Sequence, residues 1–321
     1  MGNTSSKKIC IVGCGAIARV HAKHLREKAE LHFVSRRRES AEALCSEFGG
    51  TTVYDNYEQA LQATIDGVVI CTPPEYHAEQ TIVALQHEKG VLVEKPLCAD
   101  EDALTHLAQA VATHPDVPFL VAENYYYKPS LERLRWILEQ GFIGPLQSIR
   151  VRKCSMQAAV GWKSGYGALL EGGIHFIALI SGLVDLTPIS VRAHFPNRID
   201  GEAERHSQVH MDYDSGLNAT LHYAWNVPSL TKGVFQHSRI EGEAGHILFE
   251  SNGLYMCLSS PERSGVFFPG LRDLMGYDAQ ARDFIACLTD PKRTPRSGFA
   301  QAQRDLNIVF QAYRGIQEKR S

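Results

Sequence analysis

The 321-residue chain reads as an α/β protein with two domains. The first carries a doubly wound parallel sheet, and the second is an α+β domain with a large, open, mainly antiparallel sheet. Three observations predict this. Residues 1–122 alternate short apolar runs with segments of helical period. Runs such as "VVIC" and "VLVE" are apolar on both faces, as strands covered by helices on both sides must be. Beyond Pro129 the pattern changes to long polar/apolar alternation, the mark of antiparallel strands with one solvated face. The boundary falls at residues 122–129, giving domains 1–122 and 123–321.

The elements follow in order. "KICIVGC" is a β-branched run ending in glycine, and "AIARVHAKHLRE" continues it with helical spacing. "LHFVS" is the second strand, "ESAEALCSEFG" a helix and "TVYD" a third strand. "DGVVICT", a helix near Ala78–His87, "GVLVEKP", a helix near Asp100–Ala112 and "PFLVAE" complete the first domain. A helix near Leu131–Gln140 opens the second. "LQSIRVRKC", "VHMDYDSGLNATLHYAW" and "HILFESNGLYMCLS" are its strands. The sequences "DSG" (Asp214–Gly216) and "SNG" (Ser251–Gly253) supply hairpin turns. Helices near Asp278–Thr289 and Gly298–Gln317 close the chain.

Composition bounds the function. The chain is 44% hydrophobic and 21% charged, with net charge −3, so it has no basic footprint for nucleic acid and no polybasic membrane patch. Eight scattered cysteines without a C-x-x-C pair read as free thiols of a reducing compartment, in line with a cytoplasmic location. The start "MGNTSSKK" lacks the apolar core of a signal peptide. It fits the M-G-x-x-x-S pattern of myristoylation at Gly2, but reads as an unstructured lead-in to the first strand. The longest apolar stretch, Ala168–Val184, contains Glu171 and His175 and is short for a membrane span. His21 with His24, and His206 with His210, have no Cys or carboxylate of ligand spacing beside them, so no metal site is expected.

The glycine turn carries the first chemistry. "IVGCGAIA" sets Gly13, Gly15 and Ala18 in a G-x-G-x-x-A pattern between a strand and a helix, with Ala16 and Ile17 opening that helix. Gly13 permits the tight turn, Gly15 lets backbone approach a pyrophosphate, and Ala18 lets helix and strand pack closely. This is the fingerprint of a Rossmann dinucleotide site. NAD sites place an acid at the end of the second strand; here "FVSRRRES" offers Ser35, Arg36, Arg37 and Arg38. Guanidinium groups grip a 2′-phosphate, so NADP(H) is expected over NAD(H).

"CTPPEYH", "VLVEKPLC", "WKSGYGALLEGGIH" and the closing "YDAQARDFIACLTDPKRTPRSGFAQAQRDLNIVFQAYRG" resemble the glucose-fructose oxidoreductase / inositol dehydrogenase / rhizopine catabolism (Gfo/Idh/MocA) family of NAD(P)-dependent oxidoreductases. The resemblance covers nearly the whole chain. It implies that Lys95 of "EKP" points toward the nicotinamide and the reacting carbon. It implies that Glu171 and His175 are the acid and histidine of the family's D-x-G-x-H helix. It sets Thr72, Pro73, Pro74, His77, Glu94, Lys95, Asn124, Trp162 and Lys163 around the cofactor, and it implies a homodimer or homotetramer through the second sheet. The family's aspartate is Glu171 here, a second aspartate is Ala178, and the arginine of N-x-R-F-x-P is Tyr126 within Asn124–Pro129. Those departures make the pocket poorer in hydroxyl-binding groups and richer in aromatics, with Tyr126 and Tyr127 beside His175 as substrate candidates.

The expected activity is hydride transfer between NADP(H) and the carbonyl or alcohol of a small sugar-like or cyclic molecule, with Lys95 and His175 moving the proton. Imine reduction, and a non-catalytic dinucleotide-dependent sensor, stay open. So does the part of Glu171, which can hold the His175 tautomer, bind substrate or shape the local field. Gly172 and Gly173 each cost about 1 kcal/mol inside a helix; the sequence assigns them to close approach of a nicotinamide or substrate.

Overall fold

The computed structural model describes residues 6–229, 231–270, 272–290 and 292–317. Gly2 and the myristoylation pattern lie outside them. The chain divides into two compact units, each treated by itself. The first holds the described residues through Asn124 together with Tyr277–Ala302; the second holds Tyr125–Gly276 and the described residues from Gln303 onward.

In the first unit the elements are β1 (Lys7–Val12), α1 (Ala16–Leu25), β2 (Ala29–Val34), α2 (Arg38–Phe48), β3 (Thr52–Tyr54), α3 (Tyr57–Gln62), β4 (Gly67–Ile70), α4 (His77–Gln86), β5 (Gly90–Val93), α5 (Glu101–Thr113) and β6 (Phe119–Val121). The strands form one parallel sheet in the order β3-β2-β1-β4-β5-β6. The strand order reverses between β1 and β4, and because every strand is parallel the carboxyl ends of β1, β2, β4 and β5 share one edge at that switch point. Strands β4 and β5 are buried throughout, as their unbroken apolar runs require.

The sequence reading assigns all of 123–321 to the second domain. The structure returns one segment to the first unit, because the buried face of α8 (Tyr277–Thr289) belongs to its core. Ala281, Phe284, Cys287 and Leu288 pack in the same cluster as Ile9, Leu25, Phe33 and Val69.

The second unit contains α6 (Pro129–Glu139), β7 (Leu146–Cys154), α7 (Ile174–Val184), β8 (Ser190–His194), β9 (His206–Asp212), β10 (Asn218–Ala224), β11 (His237–Gly242), β12 (His246–Glu250), β13 (Met256–Ser259) and β14 (Ser264–Phe267), with much of α9 (Phe299–Gln317). The described strands form a sheet in the order β14-β13-β12-β11-β7-β10-β9-β8. It is antiparallel except where β10 runs parallel to β7. One face is dry, with Ile149, Val209, Ala219, Leu221, Ile240 and Ile247 buried. Both proposed hairpins form. Gly216 and Gly253 take positive φ, and a Cβ on Gly253 would run into the Ser130 side chain. Among the described residues no helix is long and apolar enough to cross a membrane.

Candidate active site

The carboxyl edge of the first sheet assembles the loops that the sequence singles out. Each strand end is pinned to its neighbour by one more rung of the ladder. Gly13 N–H donates to Val34 O (2.9 Å), Cys71 N–H to Val12 O (2.7 Å) and Glu94 N–H to Ile70 O (2.9 Å). The Gly13 loop, the Thr72–Pro74 loop and Glu94–Pro96 therefore stand side by side. Gly13 has φ +85°, and a Cβ there would meet the Cys71 backbone at 3.0 Å. This position demands glycine both for its conformation and for its neighbour.

Gly15 is exposed at the start of α1, with no atom within 4 Å of where a Cβ would stand. Helix α1 has no side-chain cap and no acidic residue in its first turn, while Ala18 is fully buried against the sheet. An open helix N-terminus presents N–H donors and a positive dipole end to an anion. Ala16 is exposed there and Ile17 half-buried. This cradle fits a pyrophosphate. Beyond β2, Ser35 is half-buried, and Arg36 and Arg37 are exposed. Arg36 lies over the Tyr76 ring at 5.6 Å. Arg38 is engaged elsewhere, pairing with Glu42 (2.8 Å) and with Asp55.

The Thr72 and Lys95 loops are stitched together by His77, whose ring bridges Thr72 O (2.7 Å) and Pro96 O (2.8 Å). Burial pushes the His77 pKa down and outweighs both carbonyls. Thr72 Oγ1 donates to Gln80 (2.6 Å). Pro74 is buried, and the Lys95–Pro96 bond is cis. From Gly90 to Cys98 every residue is buried except Lys95, which is half-buried. Its neighbour Glu94 is held on both oxygens: His21 Nε2 lies 2.7 Å from Oε1, and Lys95 N–H donates to Oε2 (3.1 Å). Burial works to raise the Glu94 pKa, but the His21 hydrogen bond and charge, with Lys95 and His77, hold it below the usual carboxylate range. The sequence reading weighs His21 only as a metal ligand and does not pair it with Glu94. The signal was its place on the apolar stripe of α1, beside buried Ala18, Ala22 and Leu25.

In the second unit a π-helical turn, Leu169–Gly173, runs straight into α7. From Ala168 to Leu183 every residue is buried except His175. Its ring stacks on Tyr125 at 5.0 Å and 17°, and the Lys128 ammonium sits 4.3 Å from the other partner of that stack, the Tyr125 ring centre. Glu171 and Lys163 form an ion pair at 2.7 Å, with the carboxylate 6% exposed. Lys163 also lies over Trp162 (5.6 Å), and Trp162 meets Tyr166 edge-on. Two sequence candidates, one read as catalytic and one as cofactor-binding, are thus direct partners.

The tyrosines divide. Tyr125 touches His175, whereas Tyr126 and Tyr127 are 3% and 1% exposed. The Tyr126 hydroxyl donates to Asp305 (2.8 Å). Asn124, at the end of the first unit, is buried. The glycine pair also reads differently in the structure. A Cβ on Gly172 would collide with the Tyr223 hydroxyl and lie 2.9 Å from its Cζ; one on Gly173 would meet Leu169 at 2.8 Å and Tyr223 at 3.3 Å. The Tyr223 phenol fills the space beside Gly172, and Leu169 with the Tyr223 ring fills that beside Gly173.

Residues 7–122 match the family described as "Oxidoreductase family, NAD-binding Rossmann fold", and residues 131–248 match the "GFO/IDH/MocA C-terminal domain". The chain belongs to the Gfo/Idh/MocA oxidoreductase family. Among Gfo/Idh/MocA relatives it is 28% identical over 214 residues to glucose-6-phosphate 3-dehydrogenase of Bacillus subtilis (strain 168), covering 62% of this chain and 60% of that protein. The match to D-glucoside 3-dehydrogenase of Escherichia coli (strain K12) likewise spans 58% of that protein's length. Inositol 2-dehydrogenase of Rhizobium meliloti (strain 1021) is 25% identical over 327 residues, 97% of each chain. Levoglucosan dehydrogenase, solved with NADH and levoglucosan, shares the fold at a TM-score of 0.82 and 20% identity, covering 96% of this chain and 98% of that one. KijD10, a 3-ketoreductase from Actinomadura kijaniata solved with NADP, does so at 0.81 and 20%, covering 97% and 98%.

One buried carboxyl gives this Gfo/Idh/MocA chain a pH signature. Burial pushes the Glu204 pKa up to about 7, against hydrogen bonds from Leu169 and Tyr313 and the Arg205 charge; Tyr223 also faces it. A folded pKa above the unfolded one means that the folded state binds the extra proton. The contribution is full below about 4.5 and is lost as pH rises toward about 7. Glu204→Gln is expected to remove a fall in stability on the order of 3 kcal/mol across that window, and so to flatten the fall of Tm. Thermal scans of both proteins from acid to neutral pH measure it; parallel slopes contradict it.

Proposed function

We propose that the protein is an NADP(H)-dependent oxidoreductase acting on a carbonyl/alcohol pair of a small sugar-like or cyclic molecule. The observation that carries the reading is the shared carboxyl edge of β1, β2, β4 and β5, where the Gly13–Ala18 cradle, Arg36 and Lys95 stand on neighbouring strand ends. The relatives named as dehydrogenases of sugars and inositol support the substrate class. In this reading Gly13, Gly15, Ala16, Ile17 and Ala18 hold the pyrophosphate, and Ser35, Arg36 and Arg37 hold the 2′-phosphate. Thr72, Pro73, Pro74, His77, Asn124, Trp162 and Lys163 shape the rest of the cofactor site.

When bound, the nicotinamide supplies or accepts the hydride. The chain's own task is one proton. Reduction leaves negative charge on the substrate oxygen, and the Lys95 ammonium donates to it; oxidation runs the transfer backward. His175 is the second proton-handling group, with its ring held in plane by Tyr125. Glu171 is neutralised by Lys163, which favours a role in shaping the field over one as a free base. We further place the protein in a reducing, cytoplasmic setting, in keeping with eight free thiols, and as a homo-oligomer through the second sheet.

The cofactor assignment is tested by the double variant Arg36→Ala/Arg37→Ala. Loss of charge-assisted bonds to a phosphate costs about 1.5–3 kcal/mol, so the Kd for NADPH is expected to rise roughly tenfold to a hundredfold. The Kd for NADH is expected to stay put. Fluorescence titration with each cofactor reads this, and equal loss for both would refute the 2′-phosphate assignment.

A further inference from the structure

We infer that Glu204 and Arg205, which immediately precede β9, are positioning residues that clamp the segment from Trp162 to His175 at both ends. The inference rests on the reading of Lys163, Glu171 and His175 as working groups of the site. Arg205 takes the upstream end. Its guanidinium donates to Ser164 O (2.9 Å) and Tyr166 O (2.8 Å), carbonyls in and just after the turn Gly161–Gly165 that bears Trp162 and Lys163. The guanidinium itself rests over the Trp225 ring at 5.6 Å.

Glu204 takes the downstream end. The first N–H groups of a helix have no partner inside it. Here Ala168 N–H donates to Glu204 O (2.9 Å) and Leu169 N–H to Glu204 Oε1 (2.8 Å). Leu170 N–H donates to the Tyr313 hydroxyl (3.2 Å), which in turn donates to Glu204 Oε1 (2.7 Å). The N-cap residue Ala168 offers no side-chain cap of its own. The cap comes instead from a distant carboxylate and phenol. Gly167 makes this possible, since a Cβ there would collide with Glu204 Oε1 and the Tyr313 hydroxyl.

The Lys163–Glu171 pair joins the two clamped ends at 2.7 Å. Glu171 lies in the first turn after the cap and His175 in the next. Fraying of that turn moves the carboxylate first and the imidazole with it. A misplacement on the order of 1 Å costs about a hundredfold in rate when it affects reacting groups.

The test compares Glu204→Ala, Glu204→Gln and Arg205→Met by amide hydrogen exchange, NADPH binding and turnover. Turnover uses NADP(H) with myo-inositol, glucose 6-phosphate, levoglucosan and their keto forms. Glu204→Ala is expected to speed exchange at Ala168–Leu170 and to lower kcat by roughly tenfold to a hundredfold, with the Kd for NADPH unchanged. Glu204→Gln keeps an acceptor for Leu169 N–H and is expected to restore protection and most of kcat. Arg205→Met is expected to speed exchange at Tyr166–Ala168 and lower kcat. A folded Glu204→Ala protein with full kcat overturns the inference. So does Gln rescuing no better than Ala, and, should Ala fail to fold, Arg205→Met with wild-type kcat does the same. Full turnover in Lys95→Met would instead sink the functional reading while leaving the exchange result intact.

Discussion

Lys95→Met is expected to lower kcat by about a thousandfold, within the range that general acid–base catalysis supplies. NADPH binding should survive. Lys95 alone is half-exposed in an otherwise buried run, so its ammonium can reach outward while its flanks are fixed. Methionine matches the length of the stem and removes the proton. The backbone is held independently, through Lys95 N–H to Glu94, Glu94 to His21 and Pro96 O to His77, so the loop keeps its course. The measurement is kcat and the Kd for NADPH on the same preparation. Lost binding together with lost turnover would make Lys95 a cofactor ligand instead of a proton carrier.

Gly172→Ala is expected to destabilise the protein by about 1–3 kcal/mol, the usual cost of overpacking a core, and to cut turnover with it. The added methyl lands on the Tyr223 hydroxyl, which accepts a hydrogen bond from Trp225 Nε1 (3.0 Å) and packs against Phe176. Tyr223 cannot yield without breaking that bond, so the strain falls on the helix that carries Glu171 and His175. Tyr223→Phe removes the colliding oxygen. The double variant is therefore expected to be more stable than the sum of the two single changes predicts, and denaturant melts of all four proteins give that coupling. Strict additivity would show that the glycine serves something other than Tyr223.

The first sheet was legible because its strands are buried on both faces and its glycine loop has a fixed spacing. The second sheet was legible only where alternation is strong. Strand β11, "HSRIEG", buries Ile240 as its one large apolar residue, and β14, "SGVF", is an exposed edge with no dry face. Helix α3 buries only Ala60 and Leu61, and β8 is half-exposed along most of its length. The site shows the same division. Gly13, Lys95 and His175 announce themselves by motif. His21, Glu204 and Tyr313 act through contacts 73, 35 and 143 residues away along the chain, and no local pattern reports those. The glycine pair was visible, but Tyr223, which packs beside it, stands on β10.

The most direct test of the central claim is nicotinamide turnover itself. Wild-type protein is mixed with NADP+ or NADPH and the sugar, cyclitol and keto substrates above, and the near-ultraviolet absorbance of the reduced ring is followed. The expected result is substrate-dependent oxidation or reduction, faster with NADP(H) than with NAD(H) and about a thousandfold slower in Lys95→Met. Tight NADPH binding with no turnover on any alcohol or carbonyl would contradict it and leave a dinucleotide-binding sensor in its place.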